Sequence, residues 1–355
     1  MDITTAKAAL DKIIKKSRVH LYKPIQLAEI LYKDRALPGS IDLSNLETYR
    51  NPSKKWRDDM TCKLIGATCT SSAKFQDNIF EKNAVPPQAI VTLGEENRNN
   101  NGIVELYIYS QLKTRYTQLS NAIEYLHKKT PENLVIEDFI NLFWAQPGLK
   151  RSIDKVYEII VYALFVVLVY ELDVKIEISV NSDKLDLLKE FSDFAEKVLF
   201  ISPDKPKSTS PAKIYRVGVT NAADRGLDMW ANFGPAIQIK HVTLTDYIAE
   251  SIVDSVSADR IVIVCKDAEK KYIESIIGQL GWASHIQSII VESDLINWYE
   301  KGLRGTFKDI MGEKIIQALR SEMQNEFPVA NLHELDKLFL KRGYNNITLD
   351  KYWQI

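Results

Sequence analysis

The sequence predicts an α/β fold in which a central mixed sheet is flanked by helices and preceded by a mainly helical N-terminal region. Three observations predict it. Up to residue 148 the apolar residues recur at helical spacing. From Arg151 onward, helical stretches alternate with short runs of period two. Ile261–Cys265 is a continuous apolar run bounded by charges, as expected of a strand covered on both faces.

Composition narrows the class. The chain has 355 residues, 45% hydrophobic and 26% charged, which is ordinary for a globular protein with room for two domains or one elaborated domain. The net charge of -1 gives no global signal for nucleic acid, but the balance is uneven. Residues 1–57 hold 12 Lys/Arg against 6 Asp/Glu, a net +6, so the remainder carries -7. Either the N-terminal part presents a basic face or these charges are a solvated helix surface.

Cys62, Cys69 and Cys265 are too few for a disulfide framework or a zinc site, and MDITTAKAALDK has no apolar signal-peptide core. A cytoplasmic location is expected. The longest apolar run, Ile159–Tyr170, lies between Glu158 and Glu171 and is too short to span a bilayer. A buried helix and no membrane partner are expected.

In order along the chain, Ala6, Leu10, Ile13 and Ile14 predict a helix over 4–17, and Pro24 can open a second through Tyr32. Leu37–Ser40 breaks the pattern. In YRNPSKKWRDD, Tyr49 and Trp56 are interleaved with Arg50, Lys54, Lys55 and Arg57. Basic side chains beside aromatics suit phosphate contacts, and an arginine can read guanine bidentately, so these four are candidate DNA contacts. The same segment also reads as a loop-to-helix junction with solvated charges. Residues 60–148 read as mostly helical with a polar loop at Glu95–Gly102, and Gln146-Pro147-Gly148 marks a boundary. The expected division is 1–148, a helical region for DNA recognition; 149–302, a catalytic core; and 303–355, a helical extension.

Beyond Arg151, an apolar stripe (Ile153, Val156, Tyr157, Ile160) opposes Arg151, Asp154, Lys155 and Glu158 on another face. Val174, Ile176, Ile178 and Val180 predict a half-buried strand, residues 183–200 a helix, and Ser202–Ala212 a Pro/Ser-rich loop. A strand near Ile214–Val219 leads to a hairpin turning at Asn232-Phe233-Gly234-Pro235. Helices near 245–256, 268–280 and 293–301 and a strand at 286–291 follow, and the tail from Phe307 reads as helical.

The hairpin carries the chemistry. Ile237 and Ile239 alternate with Gln238 and Lys240, so the amide and the ammonium share one face, and folding about Phe233 brings Asp228 opposite Gln238. A carboxylate, an amide oxygen and a lysine then converge. Oxygen ligands hold a hard cation such as Mg²⁺ at a scissile phosphate, and a lysine stabilises the charge that develops there. An ordinary core hairpin with three exposed polar residues would look the same. The pattern resembles the PD-(D/E)XK nuclease motif, with Gln238 where an acid is usual, and the order of elements matches the αβββαβ core of that superfamily.

DRGLDMWANFGPAIQIKH, with SIDKVYEIIVYALF at Ser152–Phe165 and the N-terminal YRNPSKKWR, resembles the HaeII type of type II restriction endonuclease through most of the chain. The resemblance implies a homodimer that makes Mg²⁺-dependent double-strand cuts in duplex DNA at a palindromic, GC-centred RGCGCY site, with a cognate DNA methyltransferase protecting the host. It implies catalytic roles for Asp228, Gln238, Lys240 and Glu158, with Asp228, Gln238 and the helix-borne Glu158 at the metal. His241 falls on the isoleucine side of the strand and reads as a packed residue. Competing readings are a repair or junction nuclease of the same fold and a non-catalytic DNA-binding protein. A nucleotide-using enzyme is disfavoured because neither G-x-x-x-x-G-K-[ST] nor G-x-G-x-x-G is present.

Overall fold

The computed structural model describes the chain apart from residues 218–226, 241–259, 280–284, 328–330, 350–351 and 355 and the side chains of Ala73 and Lys240. Helix α1 (Ile3–Lys16) starts where Asp2 accepts a hydrogen bond from the Thr5 N–H at 2.9 Å, and it buries Ala6, Leu10, Ile13 and Ile14. Helices α2 (Tyr22–Ala36), α3 (Pro52–Ile65), α4 (Ala73–Asp77), α5 (Pro87–Asn99), α6 (Ile103–His127) and α7 (Ile136–Ala145) complete the N-terminal region.

The polar run Glu95–Gly102 departs from expectation, because α5 continues through it to Asn99. Asn97 supplies the reason. It is fully buried, its Oδ1 accepts from the N–H groups of Val104 and Glu105 at 3.2 Å, and its Nδ2 donates to Glu105 at 2.6 Å. The amide thus satisfies the unpaired donors at the start of α6.

Helix α8 (Ile153–Glu171) is largely buried, and no helix among the described residues is long and apolar enough to cross a membrane. After it, β1 (Lys175–Ser179) pairs antiparallel with β2 (Lys207–Pro211) in a separate two-stranded sheet. Two expectations fail here. The strand is mostly exposed rather than half-buried, and part of the Pro/Ser-rich loop is its partner strand. Between them run α9 (Leu185–Glu190), α10 (Ser192–Phe194) and a π-helical turn over Ala195–Leu199.

The main sheet has the order β3 (Ile214–Arg216), β4 (Met229–Ala231), β5 (Ala236–Lys240), β6 (Ile261–Cys265), β7 (Ile286–Val291). The first three strands are antiparallel neighbours, while β5, β6 and β7 run parallel, so the sheet is mixed. The turn between β4 and β5 needs Gly234, whose φ of 118° is a left-handed conformation costly for a residue with a Cβ. The helix expected near 245–256 lies outside the described residues, as does His241.

One face of the sheet joins the large core: Ile214, Met229, Ile237, Ile239, Val262 and Val264 share an apolar cluster with α8. On the other, Ile261, Ile263 and Cys265 pack with Ile273, Ile276 and Ile277 of α11 (Lys270–Gln279). Helix α12 (Glu292–Arg304) joins the first face, where the Tyr299 hydroxyl donates to the Ile160 carbonyl at 2.7 Å.

The tail does more than its sequence announced. Helix α13 (Lys308–Glu326) lies along α8, and α14 (Leu332–Lys341) leads back to the N-terminal helices. There the Arg342 guanidinium grips both oxygens of Glu29 at 2.7 and 2.8 Å, with both side chains about 5% exposed or less. Tyr109 donates to the same carboxylate and Tyr344 to Glu105, so the buried charges are shared through one network. The large apolar cluster accordingly runs from Ala6 to Trp353.

Removing one partner of a buried bidentate pair leaves an uncompensated charge. Arg342→Ala should therefore lower unfolding stability by about 3–5 kcal/mol in a urea titration, and Glu29→Met added to Arg342→Met should recover part of it. A single Arg342→Ala within 0.5 kcal/mol of wild type, a roughly surface-sized effect, would contradict this role.

Candidate active site

The site grows from the β4–β5 hairpin. Its register pairs Met229 with Ile237 and Trp230 with Ala236, which puts Asp228 and Gln238 next along the two strands. The Asp228 backbone N–H donates to the Ile237 carbonyl at 3.3 Å, and the Ile239 N–H donates to Asp228 Oδ2 at 2.7 Å. A carboxylate that accepts a backbone N–H is fixed in place. The cross-strand meeting of Asp228 with Gln238 is thus as the sequence predicts.

Burial differs from the simple alternation. Gln238 is fully buried, and Ile237 and Ile239 are buried as well, because both faces of β5 are covered. In the parallel register Gln238 lies opposite Ile263, whose side chain belongs to the α11 face. A primary amide is an uncommon choice for such a place, since its polar atoms must be satisfied out of water. Lys240 ends β5, two positions beyond Gln238 and opposite Cys265. Its side chain is outside the described atoms.

Glu158 comes to this hairpin from α8. Of the residues spaced with it as a polar face, Arg151 is exposed and Asp154 and Lys155 are half-buried, and Glu158 itself is 5% exposed. Burial, and next the Asp228 charge, push its carboxyl up from 4.5 to about 7. Lys155 opposes that shift by holding Glu158 Oε2 at 2.6 Å, a partner one helical turn earlier that the i, i+3 spacing displays. Asp228 thus acts on Glu158 through its charge and on β5 through the Ile239 N–H, while Gln238 lies in register with Ile263 of the α11 face.

The chemistry of this donor set suits a hard divalent cation. Two carboxylates and an amide are oxygen ligands of the type that Mg²⁺ takes, and Glu158 is raised chiefly by burial and next by the Asp228 charge, against the opposing pull of Lys155. Among the described residues no group of three or more His, Cys, Asp or Glu is arranged to hold a metal ion.

Behind the site, Arg216 on β3 pairs with Glu322 at 3.0 Å and with Glu326 at 2.7 Å, and Glu326 adds to the negative field at Glu158. Sequence reasoning missed these because their partners are about a hundred residues apart. The stacked Tyr215 and Trp230 rings, 4.5 Å between centroids, were also missed; they are partly exposed cross-strand partners beside the Asp228 end of the hairpin.

The four basic candidates separate. Lys55 is exposed, Lys54 pairs with Asp77 at 2.8 Å, and Arg50 pairs with Asp77 at 3.4 Å and Glu47 at 3.3 Å. Arg57 is 1% exposed, with its guanidinium on Gln26 at 3.0 Å, Gln76 at 2.8 Å and Asp58 at 2.8 Å. In this fold it ties α2, α3 and α4 together from inside. Tyr49 is buried likewise, donating to the Leu43 carbonyl at 3.2 Å.

Comparison with known proteins is decisive about kinship. The family model described as HaeII restriction endonuclease matches residues 6–344. The chain is 55% identical over 344 residues to the type II restriction enzyme HaeII of Haemophilus aegyptius, covering 97% of each chain. It is 53% identical over 341 residues to the type II restriction enzyme NgoBI of Neisseria gonorrhoeae, covering 96% of each. No solved structure matches significantly, so the fold class stands as α/β with a mixed five-stranded sheet.

The raised Glu158 carboxyl fixes a pH dependence. Between 4.5, its ordinary value, and about 7, the folded protein holds a proton that the unfolded chain has released. Stability from this group is complete below 4.5 and is lost as pH rises through about 7. In chelator, Glu158→Gln should remove this fall from a thermal melting series over that range. An unchanged pH profile in the variant would overturn the assignment.

Proposed function

The chain belongs to the HaeII restriction endonuclease family, which makes it a type II site-specific endonuclease, and from that premise we propose how its residues cut DNA. The substrate is duplex DNA at the palindromic RGCGCY site, cut in both strands with Mg²⁺. The single observation that carries the reading is that Glu158, buried on α8, lies under the charge of Asp228, whose carboxylate the Ile239 N–H of β5 fixes on the hairpin that also carries Gln238. The sheet then corresponds to the PD-(D/E)XK core, with Gln238 in the place of the usual second acid.

Asp228, Gln238 and Glu158 are the residues that would hold the cation. Bound there, it supplies Lewis-acid stabilisation of phosphoryl charge and lowers the pKa of water. The chain's own part is positional. The Ile239 N–H keeps the Asp228 carboxylate aimed, and burial of Gln238 and Glu158 excludes competing water. Lys155 holds the second Glu158 oxygen and so orients that carboxylate. Lys240, at the end of β5, serves as the cation that steadies the attacking water and the charge developing on the phosphate.

A palindrome has two scissile phosphates related by a two-fold axis, and one chain supplies one such hairpin, so the working enzyme is a homodimer on DNA. Arg50, Lys54 and Lys55 are the recognition-region contacts that remain on the surface. Their pairs with Asp77 and Glu47 are partly exposed, weak by nature and replaceable by phosphate oxygens. The protein works in the cytoplasm beside a methyltransferase that modifies the same site.

Cleavage of a plasmid, with sequencing of the ends, tests the reaction and the recognised bases together. Asp228→Ala and Lys240→Ala should each lose about 100-fold or more in cleavage while still shifting target DNA. Gln238→Ala should lose activity, whereas Gln238→Glu should keep metal-dependent cleavage and become more dependent on the cation for its melting temperature, since the new charge is buried. Wild-type rates in both Gln238→Ala and Lys240→Ala would sink the site.

The recognition face has its own check. Lys55→Ala should reduce the salt slope of DNA binding by about 1, and Arg57→Ala should instead cost about 1–3 kcal/mol of stability by stranding Gln26 and Gln76. The reverse pattern, a stable Arg57→Ala with a flattened salt slope, would return Arg57 to the DNA surface.

A further inference from the structure

The segment between β1 and β2 has almost no interior of its own. Only Leu188, Ala195 and Ile201 are buried there, with Val180 and Leu185 packed against them, and the sheet beneath has two strands. Such a unit is marginal without a partner. Yet it exposes Leu187 by 54%, Phe191 by 52%, Phe194 by 53%, Val198 by 61% and Phe200 by 79%. The first four recur at intervals of four, three and four residues along α9, α10 and the π-helical turn, a path kinked at Phe191, where φ is -107° and ψ 33°. Their exposed parts amount to several hundred Å² of apolar surface, roughly the scale of the 800 Å² per partner that a stable interface buries.

We infer that this stripe is the surface through which two copies of the chain associate, antiparallel about a two-fold axis. The occupant follows from pattern and charge. In an antiparallel pairing Leu187 meets Val198 of the other copy and Phe191 meets its Phe194, so the seam closes on itself, as a two-fold interface requires. One side of the stripe is turned to the segment's own interior by Leu188 and Ala195. The other carries Glu190 and Lys197, both exposed, and the same pairing sets each Glu190 against the other copy's Lys197. The Lys197–Asp193 contact at 3.6 Å is solvent-exposed and so costs little to exchange. Residues 183–197 hold five acids against three lysines, a balance that repels a phosphate backbone and leaves the stripe to protein.

This rests on the homodimer proposed above, but it is read without DNA or metal, so loss of association and loss of cleavage are separate results. The experiment is sedimentation velocity of the full chain at micromolar concentrations. Wild type should be a dimer. Glu190→Lys and Lys197→Glu each place like charges across the axis twice, and each should weaken the dimer about tenfold or more. Mixing the two single variants should give a heterodimer, and Glu190→Lys with Lys197→Glu in one chain should restore the homodimer. Phe194→Glu should be monomeric with unchanged circular dichroism; should it fail to fold, the charge-exchange mixture still decides. A monomeric wild type, single variants as dimeric as wild type, or a mixture that does not pair would each overturn the inference.

Discussion

Two carboxylates whose charges act on each other, Glu158 buried on α8 and Asp228 half-buried on the hairpin, are the constraint around which the contact of α8 with the sheet is built. Left alone they repel, and burial makes the repulsion stronger. The fold tolerates the pair by fixing one carboxylate on the Ile239 N–H and the other on Lys155, and by letting Glu158 keep a proton up to about 7. Such an arrangement costs stability in the free protein. It is the kind of expense that a binding site for a cation retains, since the cation turns the same repulsion into affinity.

Keeping the pair in register requires elements distant in sequence. Helix α8 brings Glu158, and α13 braces both α8 and β3 through Arg216 and its two glutamates. The chain beyond α14 returns to the N-terminal helices, where Arg342, Glu29, Glu105 and their tyrosines form a closed polar network. The region that offers Arg50, Lys54 and Lys55 and the sheet that offers Asp228 thus share one apolar core.

The hairpin and its Asp228–Gln238 register were legible because period-two alternation and a Gly-Pro turn are local signals. The continuous run Ile261–Cys265 was legible for the same reason, and α8 because its apolar residues repeat at helical spacing. What failed was anything decided by long-range burial. Arg57 looked like its neighbours Lys54 and Lys55, yet α2 and α4 close over it. Asn97 sat in a run that read as loop, but its amide is the cap of the next helix. The tail gave only a helical pattern, since Glu322, Glu326 and Arg342 acquire meaning from partners across the chain. Gln238 lay between these cases: its position was readable, and its complete burial was not.

The central claim is that Glu158, Asp228 and Gln238 together hold one divalent cation. Anomalous scattering from a crystal grown with Mn²⁺ measures this most directly. The account predicts a peak about 2.0–2.2 Å from oxygens of Asp228 and Gln238, with Glu158 bound directly or through one water. Mn²⁺ bound only to other carboxylates, with Glu158 still held by Lys155 alone, would contradict it.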